Sequence, residues 1–457
     1  MKIALVSPLG AERFFEAGIF EEMDSILHRE FCFLMEEMEW MPNLGLLAIA
    51  SGLPEEIELE YIDEEYLSPE QREKFPDRED FDLVVFSLIN AQASRAYLLS
   101  RGFRERGVPV AMGGIHPTAL PDEVKEHCDY LLLGEGEEVF SRFVEDFSSG
   151  RALPVYRAET TVDLTLVKPP RFDLMKSYLD CYNRFPVQAT RGCPRNCDFC
   201  FLPKLYGSKF RHKTPAQVVR EIEILKGMTD DPFISFADEN LFVDLPYARE
   251  LVKAITPLNV VWEGYCDISV ARDKELLKLL APSGCATLLI GLESLRSDNL
   301  KTLTPWKERQ IMQYREAVAK IQSCGVGVTG LFIVGFDSDD LGSFREIRDF
   351  ARSTGLFDLE VSSLCPFPGT GLWEEMEKQG RILTRNWDRY TWIHVNFKPR
   401  GLKPDEIIEG LLWLFKEMAS RPVLEARRNH FRRVFKEHFK RLGLSREQVL
   451  HKPGLPV

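Results

Sequence analysis

The sequence lacks the features that mark membrane-spanning and secreted proteins. Its longest nearly uninterrupted apolar run, Val326 to Phe336, has eleven residues, whereas a transmembrane helix needs about 20. Arg13 interrupts the N-terminal segment too early for the apolar region of a secretory signal. The chain has only ten cysteines, and seven of them are scattered, which is not the pattern of a disulfide framework. We therefore expect a cytoplasmic protein without a transmembrane segment.

The sequence also has no excess of basic residues. Its 58 Lys and Arg stand against 71 Asp and Glu, a net charge of −13, which argues against a general nucleic-acid-binding protein. The charge is uneven, because residues 1–100 hold 22 acidic and 7 basic residues, a net of −15. This change in charge predicts a boundary between an acidic N-terminal unit and the rest of the chain.

Residues 1–150 alternate apolar strands with amphipathic helices, a pattern that predicts an open parallel α/β sheet. Ligands of such sheets bind at the carboxyl ends of the strands. The residues at those predicted ends are Ser7, Ser87, Gly113, Gly114, Gly134 and Gly136. The glycines either let backbone approach a ligand or simply form turns, and the pattern leaves both interpretations open. An insertion at residues 10–42 is either a lid or a packed helix.

The remainder of the chain predicts a connector, a barrel and a helical end. Residues 151–184 are a proline-containing connector, and residues 185–400 repeat a strand–helix unit six times. Six such units suit a partial (β/α)6 TIM barrel with its chemistry at the carboxyl ends of the strands. Residues 401–457 are helical. Within them, residues 421–441 form a basic amphipathic helix that either packs on its own protein or docks an acidic partner, a protein substrate or a membrane surface.

Three cysteines are clustered just past the first predicted barrel strand. Cys193, Cys197 and Cys200 lie in RGCPRNCDFC with C-x3-C-x2-C spacing. Structural zinc normally takes four ligands, and no second cysteine pair exists, although His212 could complete a zinc knuckle. Iron–sulfur clusters are also held by thiolates, usually four. Three thiolates in one loop would leave one iron open to an exogenous ligand.

The loop RGCPRNCDFCF resembles the signature of the radical S-adenosylmethionine (SAM) superfamily. In that family three cysteines hold a [4Fe-4S] cluster and SAM chelates the fourth iron, which implies these roles for Cys193, Cys197 and Cys200. Further motifs follow at strand ends in the family's order, although Ala-Asp-Glu-Asn departs from the common Gly-Gly-Glu. The residues that the resemblance assigns to SAM are Phe199, Ala237, Asp238, Glu239, Asn240, Glu293, Ser294, Phe332, Gly335 and Pro366. Among these, Phe199 would lie by the adenine, Phe332 belongs to the adenine platform, and Glu293 would meet the ribose or methionine end.

The N-terminal unit resembles the flavodoxin-like (Rossmann-type) domain of the cobalamin-binding subgroup of this family. The matching motifs are PNLGLL at residues 42–47, FS at 86–87, GGIHP at 113–117 and GEGE at 134–137. The residues that the resemblance assigns to cobalamin are Ser87, Gly113, Gly114, His116, Gly134 and Gly136. The Asp-x-His-x-x-Gly motif, whose histidine ligates cobalt in other cobalamin proteins, is not present in the sequence. We therefore expect no protein imidazole below the cobalt.

Within the subgroup, the sequence is most similar to carbon methylases such as the hopanoid methylase and the glutamine methylase of methyl-coenzyme M reductase. The resemblance implies that one SAM yields a 5′-deoxyadenosyl radical, that methylcobalamin methylates an unactivated carbon, and that a second SAM remethylates cobalamin. It also implies an electron donor of the flavodoxin or ferredoxin type. A protein or peptide residue such as glutamine is the expected substrate, with a lipid or a tetrapyrrole left open.

Two other functions remain open at this point. One is a cobalamin-dependent radical cyclase or oxidoreductase that acts on a tetrapyrrole or lipid without transferring methyl. The other is a non-catalytic sensor of cobalamin or of the cluster. A methylthiotransferase is disfavoured, because that family carries three further N-terminal cysteines and only Cys32 and Cys128 lie in this region.

Overall fold

The computed structural model describes residues 1–10 and 41–418, together with single helical positions at 422, 425, 429, 433, 436 and 440. Nearly all of the insertion predicted at residues 10–42 lies outside these residues. Most of the basic amphipathic helix predicted at residues 421–441 also lies outside the described residues. Within the described residues, no helix is long and apolar enough to cross a membrane.

The N-terminal unit contains a parallel six-stranded sheet. Its strands are β1 (Lys2–Ser7), β2 (Glu58–Asp63), β3 (Leu83–Ser87), β4 (Val110–Gly113), β5 (Tyr130–Leu133) and β6 (Val155–Arg157). They lie in the order β2-β1-β3-β4-β5-β6, which confirms the flavodoxin-like prediction. The order reverses between β1 and β3, and open α/β sheets bind ligands at the carboxyl ends beside such a switch point.

Helices cover both faces of this sheet. The α-helices are α1 (Leu44–Ala50), α2 (Pro69–Lys74), α3 (Ala93–Glu105), α4 (Ile115–Ala119), α5 (Pro121–Val124) and α6 (Gly136–Ser148). Short 3-10 helices span Glu64–Tyr66, Phe75–Asp77, Asn90–Gln92 and Lys125–His127. Asn43 starts α1 by accepting a hydrogen bond from the Leu46 amide at 3.2 Å. Amphipathic α6 buries Phe140 and Phe143, so its apolar face packs into the core.

The N-terminal sheet extends past the predicted boundary at residue 150. Strand β6 follows that boundary and pairs in parallel with β5. A 3-10 helix at Phe172–Cys181 in the predicted connector buries Phe172 and Met175 in the same apolar core as β1 and the barrel. The connector is therefore a packed part of the fold and not a free linker.

The second unit contains another parallel six-stranded sheet and a short hairpin. Its strands in chain order are β7 (Phe185–Val187), β8 (Thr190–Arg191), β9 (Arg211–His212), β10 (Phe233–Phe236), β11 (Val261–Cys266), β12 (Cys285–Glu293), β13 (Gly327–Val334) and β14 (Asp358–Ser363). The sheet order is β14-β13-β12-β11-β10-β7, and β8 pairs only with β9. Sequential parallel strands of this kind confirm the partial-barrel prediction.

The helices of the second unit follow the strands in the expected rhythm. They are α7 (Leu202–Tyr206), α8 (Pro215–Met228), α9 (Leu245–Ile255), α10 (Lys274–Leu280), α11 (Ser297–Leu303), α12 (Pro305–Glu308), α13 (Tyr314–Ser323), α14 (Leu341–Thr354), α15 (Gly371–Lys378) and α16 (Pro404–Met418). Short 3-10 helices span Thr256–Leu258, Ile268–Arg272, Ala281–Ser283, Ile311–Gln313 and Trp387–Arg389. The strands thus carry their carboxyl ends, and the motifs that follow them, to one edge of the barrel.

Candidate cofactor and active site

The cysteine loop begins directly after β8 and is folded tightly on itself. Gly192 has φ +90°, and a Cβ there would lie 2.4 Å from the Lys209 carbonyl oxygen, so no other residue fits without moving the backbone. The Cys200 amide donates to the Cys197 carbonyl at 3.0 Å. All three clustered cysteines are half-buried, with no disulfide. The loop therefore presents three thiols at the carboxyl edge of the barrel.

The loop is clamped by the segment that follows β14. The Leu372 amide donates to the Asp198 carbonyl at 3.0 Å, and a Cβ on Gly369 would lie 2.9 Å from the Phe201 ring. Pro366 is buried at the start of this segment. Phe199 is half-buried and packs against the main apolar core. The Pro-x-Pro-Gly-Thr motif therefore supports the cysteine loop by backbone contact.

The chemistry of the three thiols fits an iron–sulfur cluster. Burial raises the pKa of Cys193 and Cys197 and raises that of Cys200 to about 12, so thiolates here need a positive partner, which iron supplies. No group of three or more His, Cys, Asp or Glu in the described part of the chain is arranged to hold a single metal ion. The His212 ring stacks on Tyr247 at 4.0 Å. These observations do not support the zinc-knuckle alternative.

The residues of the segment after β10 differ in their burial and in their partners. Asp238 is fully buried and accepts hydrogen bonds from the Ala189 amide at 3.1 Å and from the Thr190 hydroxyl at 2.5 Å. Burial raises the pKa of Asp238 to about 7. Its carboxyl is thus turned to the backbone between β7 and β8, and its contact with SAM stays a prediction. Ala237 is exposed, and the half-buried Glu239 accepts a hydrogen bond from the Gly192 amide at 3.2 Å.

Asn240 is connected to the cysteine loop by a chain of polar contacts through Asp267 and Arg195. Its amide donates to Asp267 at 2.8 Å, and Asp267 forms an ion pair with Arg195 of the loop at 2.8 Å. The Arg195 guanidinium lies over the Trp306 ring at 4.3 Å. Sequence reasoning missed Arg195, Asp267 and Trp306, although Arg195 lies inside the C-x3-C spacing.

Glu293 lies at the end of β12 in an unusual backbone conformation. Its φ is +62°, in the left-handed region that is costly for a residue with a side chain. Its carboxylate is paired with the Lys307 ammonium, which also donates to the Gly291 carbonyl at 2.7 Å. Ser294 is buried and accepts from Asn299 at 2.9 Å. This hydrogen bond gives Ser294 a structural role, and its contact with SAM stays a prediction. The sequence analysis did not identify Lys307.

Strand β13 contains Phe332, which the resemblance places in the adenine platform. Phe332 is 1% exposed and packs edge-on against Phe350 of the outer helix α14. Side chains alternate between the two faces of a strand, and the half-buried residues of this strand are Leu331 and Ile333. The role of Phe332 at the adenine stays a prediction. Gly335 has φ +103° and ends the strand.

The edge of the N-terminal sheet is built from close turns. Gly114 has φ +104°, and a Cβ there would lie 2.8 Å from the Leu88 carbonyl oxygen. Gly134 and Gly136 likewise approach Ala158 and Ile49. Gly113, Gly114, Gly134, Gly136 and Ser87 are all half-buried at the carboxyl edge of the sheet. Close turns account for Gly114 and Gly134, and the contacts of these five residues with cobalamin stay predictions.

His116 is turned into the protein. Its side chain is fully buried, its Nε2 is hydrogen-bonded to the Tyr97 hydroxyl at 2.8 Å, and its ring packs edge-on against Trp387. The side chain is therefore directed into the protein, and the contact of His116 with cobalamin stays a prediction. The absence of a protein imidazole below the cobalt is likewise a prediction, which is tested below.

Comparison with known proteins identifies both units. A model of the radical SAM superfamily matches residues 187–351, and a model of the B12 binding domain matches residues 39–144. The chain belongs to the cobalamin-binding radical SAM superfamily.

Two relatives by sequence support this membership. Bacteriochlorophyllide d C-12(1)-methyltransferase of Chlorobaculum tepidum is 30% identical over 364 residues, which cover 78% of this chain and 79% of that one. The hopanoid C-2 methylase of Rhodopseudomonas palustris is 27% identical over 369 residues, 77% and 67% of the two chains. The chain is a cobalamin-dependent radical SAM C-methyltransferase. Its cofactors are a [4Fe-4S] cluster, SAM and cobalamin.

The fold of the chain is also found in a solved structure. The structure of the methyltransferase TsrM of Kitasatospora setae with cobalamin and [4Fe-4S] cluster bound has a TM-score of 0.62 at 17% identity, with 83% of this chain and 75% of that one covered.

Proposed function

We propose that this radical SAM methyltransferase transfers a methyl group to an unactivated carbon, using one SAM as the source of a 5′-deoxyadenosyl radical and a second SAM to remethylate cobalamin. The observation that carries the proposal is the contact between the two ligand edges. Arg191, which immediately precedes the cysteine loop, donates to Glu135 of the N-terminal edge at 2.8 Å. Methyl transfer from cobalamin to a substrate radical requires the two sites to share one space.

The residues of the chain divide the work between them. When bound, the cluster supplies an electron to SAM and cobalamin supplies the methyl group. Cys193, Cys197 and Cys200 would hold the cluster, and the Ala237 backbone with Glu239 and Glu293 would orient SAM. The other groups proposed to contact the cofactors are Leu331 and Ile333 for the adenine, and Ser87, Gly113, Gly114, Gly134 and Gly136 for the cobalamin tail.

The substrate that we propose is a large apolar small molecule, a tetrapyrrole or a polycyclic lipid. The names of two relatives support this choice, since one methylates a bacteriochlorophyllide and the other a hopanoid. The expectation of a protein or peptide residue rested on the similarity to the glutamine methylase and on the basic segment at residues 421–441, most of which lies outside the described residues. The test therefore also includes a peptide as an alternative substrate.

The test uses the full-length protein, reconstituted anaerobically with iron, sulfide and cobalamin. We expect 5′-deoxyadenosine on reduction in the presence of SAM, and a methylated product with a bacteriochlorophyllide or a hopanoid as substrate. In Cys197→Ala the amounts of 5′-deoxyadenosine and of methylated product should fall to background. Cys181 is an exposed cysteine in the connector, and Cys181→Ala should leave both amounts unchanged. Methylation of a peptide glutamine alone would overturn the substrate proposal. An oxidised or cyclised product without methyl would overturn methyl transfer.

A further inference from the structure

A buried ionic network joins the two units beside the cysteine loop. Its centre is Arg191, whose guanidinium donates to Glu135 at 2.8 Å and to Glu137 at 2.7 Å. The same guanidinium donates to Gln188 at 2.8 Å. Arg191 is the residue before Gly192 and thus lies two positions from the first cysteine. The network therefore contacts the backbone that sets the position of the cysteine loop.

A second arginine completes the network from the other strand of the hairpin. Arg211 of β9 is the register partner of Arg191. It holds both carboxylate oxygens of Glu135, at 2.6 Å and 3.0 Å, and also donates to the carbonyls of Val162 and Tyr206. Bidentate arginine–carboxylate contacts fix orientation as well as distance. Glu135 is thereby held by two guanidiniums on adjacent strands.

The acidic members belong to the GEGE turn of the N-terminal edge. Glu135 immediately precedes α6, and Glu137 lies in its first turn, where the helix dipole favours negative charge. Burial alone would raise the pKa of Glu137, but Arg191 lowers it, and the net pKa lies below its ordinary value. The charges of the two carboxylates thus balance those of the two guanidiniums. The network is buried, since 2% of the Glu135 side chain and 8% of the Arg191 side chain are exposed.

We propose that Glu135, Glu137, Arg191 and Arg211 form an ionic pin that fixes the cobalamin edge relative to the cysteine loop. In this role they are positioning residues that touch neither cofactor through their charged groups. Buried ion pairs give directional specificity rather than much net stability, and specificity is what a transfer between two cofactors requires. The glycines of GEGE then form the turns, and its glutamates form the pin.

A second ion pair provides a matched control. Arg184 and Glu263 are largely buried and paired at 2.8 Å. Arg184 lies directly before β7 and Glu263 lies in β11, so this pair does not bridge the two ligand edges. Loss of either pair removes a buried ionic contact, but only the pin connects the cobalamin unit to the cysteine loop.

The test measures the magnetic dipolar interaction between the reduced cluster and cob(II)alamin in the doubly loaded full-length protein. This measurement needs no substrate. The inference rests on the proposed methyl transfer, which the pin would serve. A failure of the pin appears in the distance distribution, whereas a failure of the proposed function appears in the product assay. Unmodified protein should show one narrow distribution of cluster–cobalt distances. We expect Glu135→Gln/Arg211→Gln, which keeps the net charge, to broaden that distribution at least about twofold. The control Arg184→Gln/Glu263→Gln, which also keeps the net charge, should leave the distribution unchanged.

A second readout does not involve the cofactors. Hydrogen exchange of the unloaded protein should accelerate in the backbone amides of β8, β9 and the first turn of α6 in the Glu135 variant, and not in the control. If the double variant does not load both cofactors, Glu137→Gln replaces it, because Glu137 contacts Arg191 alone and is less buried. An unchanged distance distribution in a loaded pin variant, or equal broadening in the control, would overturn the proposal.

Discussion

The Lys307 ammonium lies against the Glu293 carboxylate at the mouth of the barrel, and both side chains are largely buried. Lys307 comes from α12, while Glu293 ends β12 with φ +62°. The positive charge of Lys307 also opposes the effect of burial on the pKa of Cys197. The pair therefore links Glu293 of β12 to the cysteine loop.

Removing Lys307 should destabilise the protein. Lys307→Met leaves Glu293 buried without its partner, and such changes cost about 3–5 kcal/mol of unfolding free energy. Urea unfolding without SAM measures this loss. The matched variant is Lys301→Met, whose exposed pair with Asp298 should contribute nothing measurable. An equal free energy of unfolding for the two variants would show that Glu293 finds another partner, and would contradict the importance of Lys307.

Gly192 should be irreplaceable in the cysteine loop. The substitution Gly192→Ala adds a Cβ that would lie 2.4 Å from the Lys209 carbonyl oxygen at φ +90°, so the loop must open. We expect iron content after reconstitution to fall to background while cobalamin binding is retained. Gly207→Ala is the control, since φ is also positive there but no atom lies within 4 Å of the new Cβ. Full iron content in Gly192→Ala would contradict this account of the loop.

Asp63 should make stability depend on pH in the mildly acidic range. Burial raises the pKa of Asp63 to about 6, and the Tyr182 hydroxyl, which donates at 2.8 Å, offsets only part of this. Below about pH 4 both folded and unfolded chains carry the proton. As the pH rises toward about 6, the unfolded chain loses the Asp63 proton before the folded chain does. The free energy of unfolding therefore falls by about 3 kcal/mol, and it stays lower at higher pH.

The comparison with Asp63→Asn isolates this effect. The variant should match the unmodified protein near pH 4 and exceed it in unfolding free energy near pH 7, because an amide has no proton to lose. Urea unfolding at both pH values measures the difference. Parallel pH profiles would show that Asp63 keeps an ordinary pKa in the folded chain.

The cobalt of the bound cobalamin should have no histidine below it. His116 is held by Tyr97 and covered by Trp387. Electron paramagnetic resonance of the cob(II)alamin-loaded protein should therefore show cobalt hyperfine lines without nitrogen splitting, and His116→Ala should not change them. A three-line splitting that disappears in His116→Ala would require the loop to rearrange on binding.

Local sequence patterns were sufficient for the two sheets, because strand periodicity and the motifs at strand ends are encoded within a few residues. They also singled out the three cysteines and Glu293 as candidate site residues. They did not indicate which way a side chain turns. Asp238 faces the backbone of Ala189 and Phe332 faces α14, and neither orientation is visible in the local sequence. They also missed pairs that are distant in the chain, such as Arg191 with Glu135.

The most direct test of C-methylation follows the isotope of the SAM methyl group. The reconstituted protein is incubated with SAM that carries a deuterated methyl group, a reductant and a bacteriochlorophyllide or hopanoid substrate, and the products are analysed by mass spectrometry. We predict an intact deuterated methyl group on a carbon of the product, with one 5′-deoxyadenosine and one S-adenosylhomocysteine formed per methyl transferred. Formation of 5′-deoxyadenosine with a product that contains no deuterium would contradict the account.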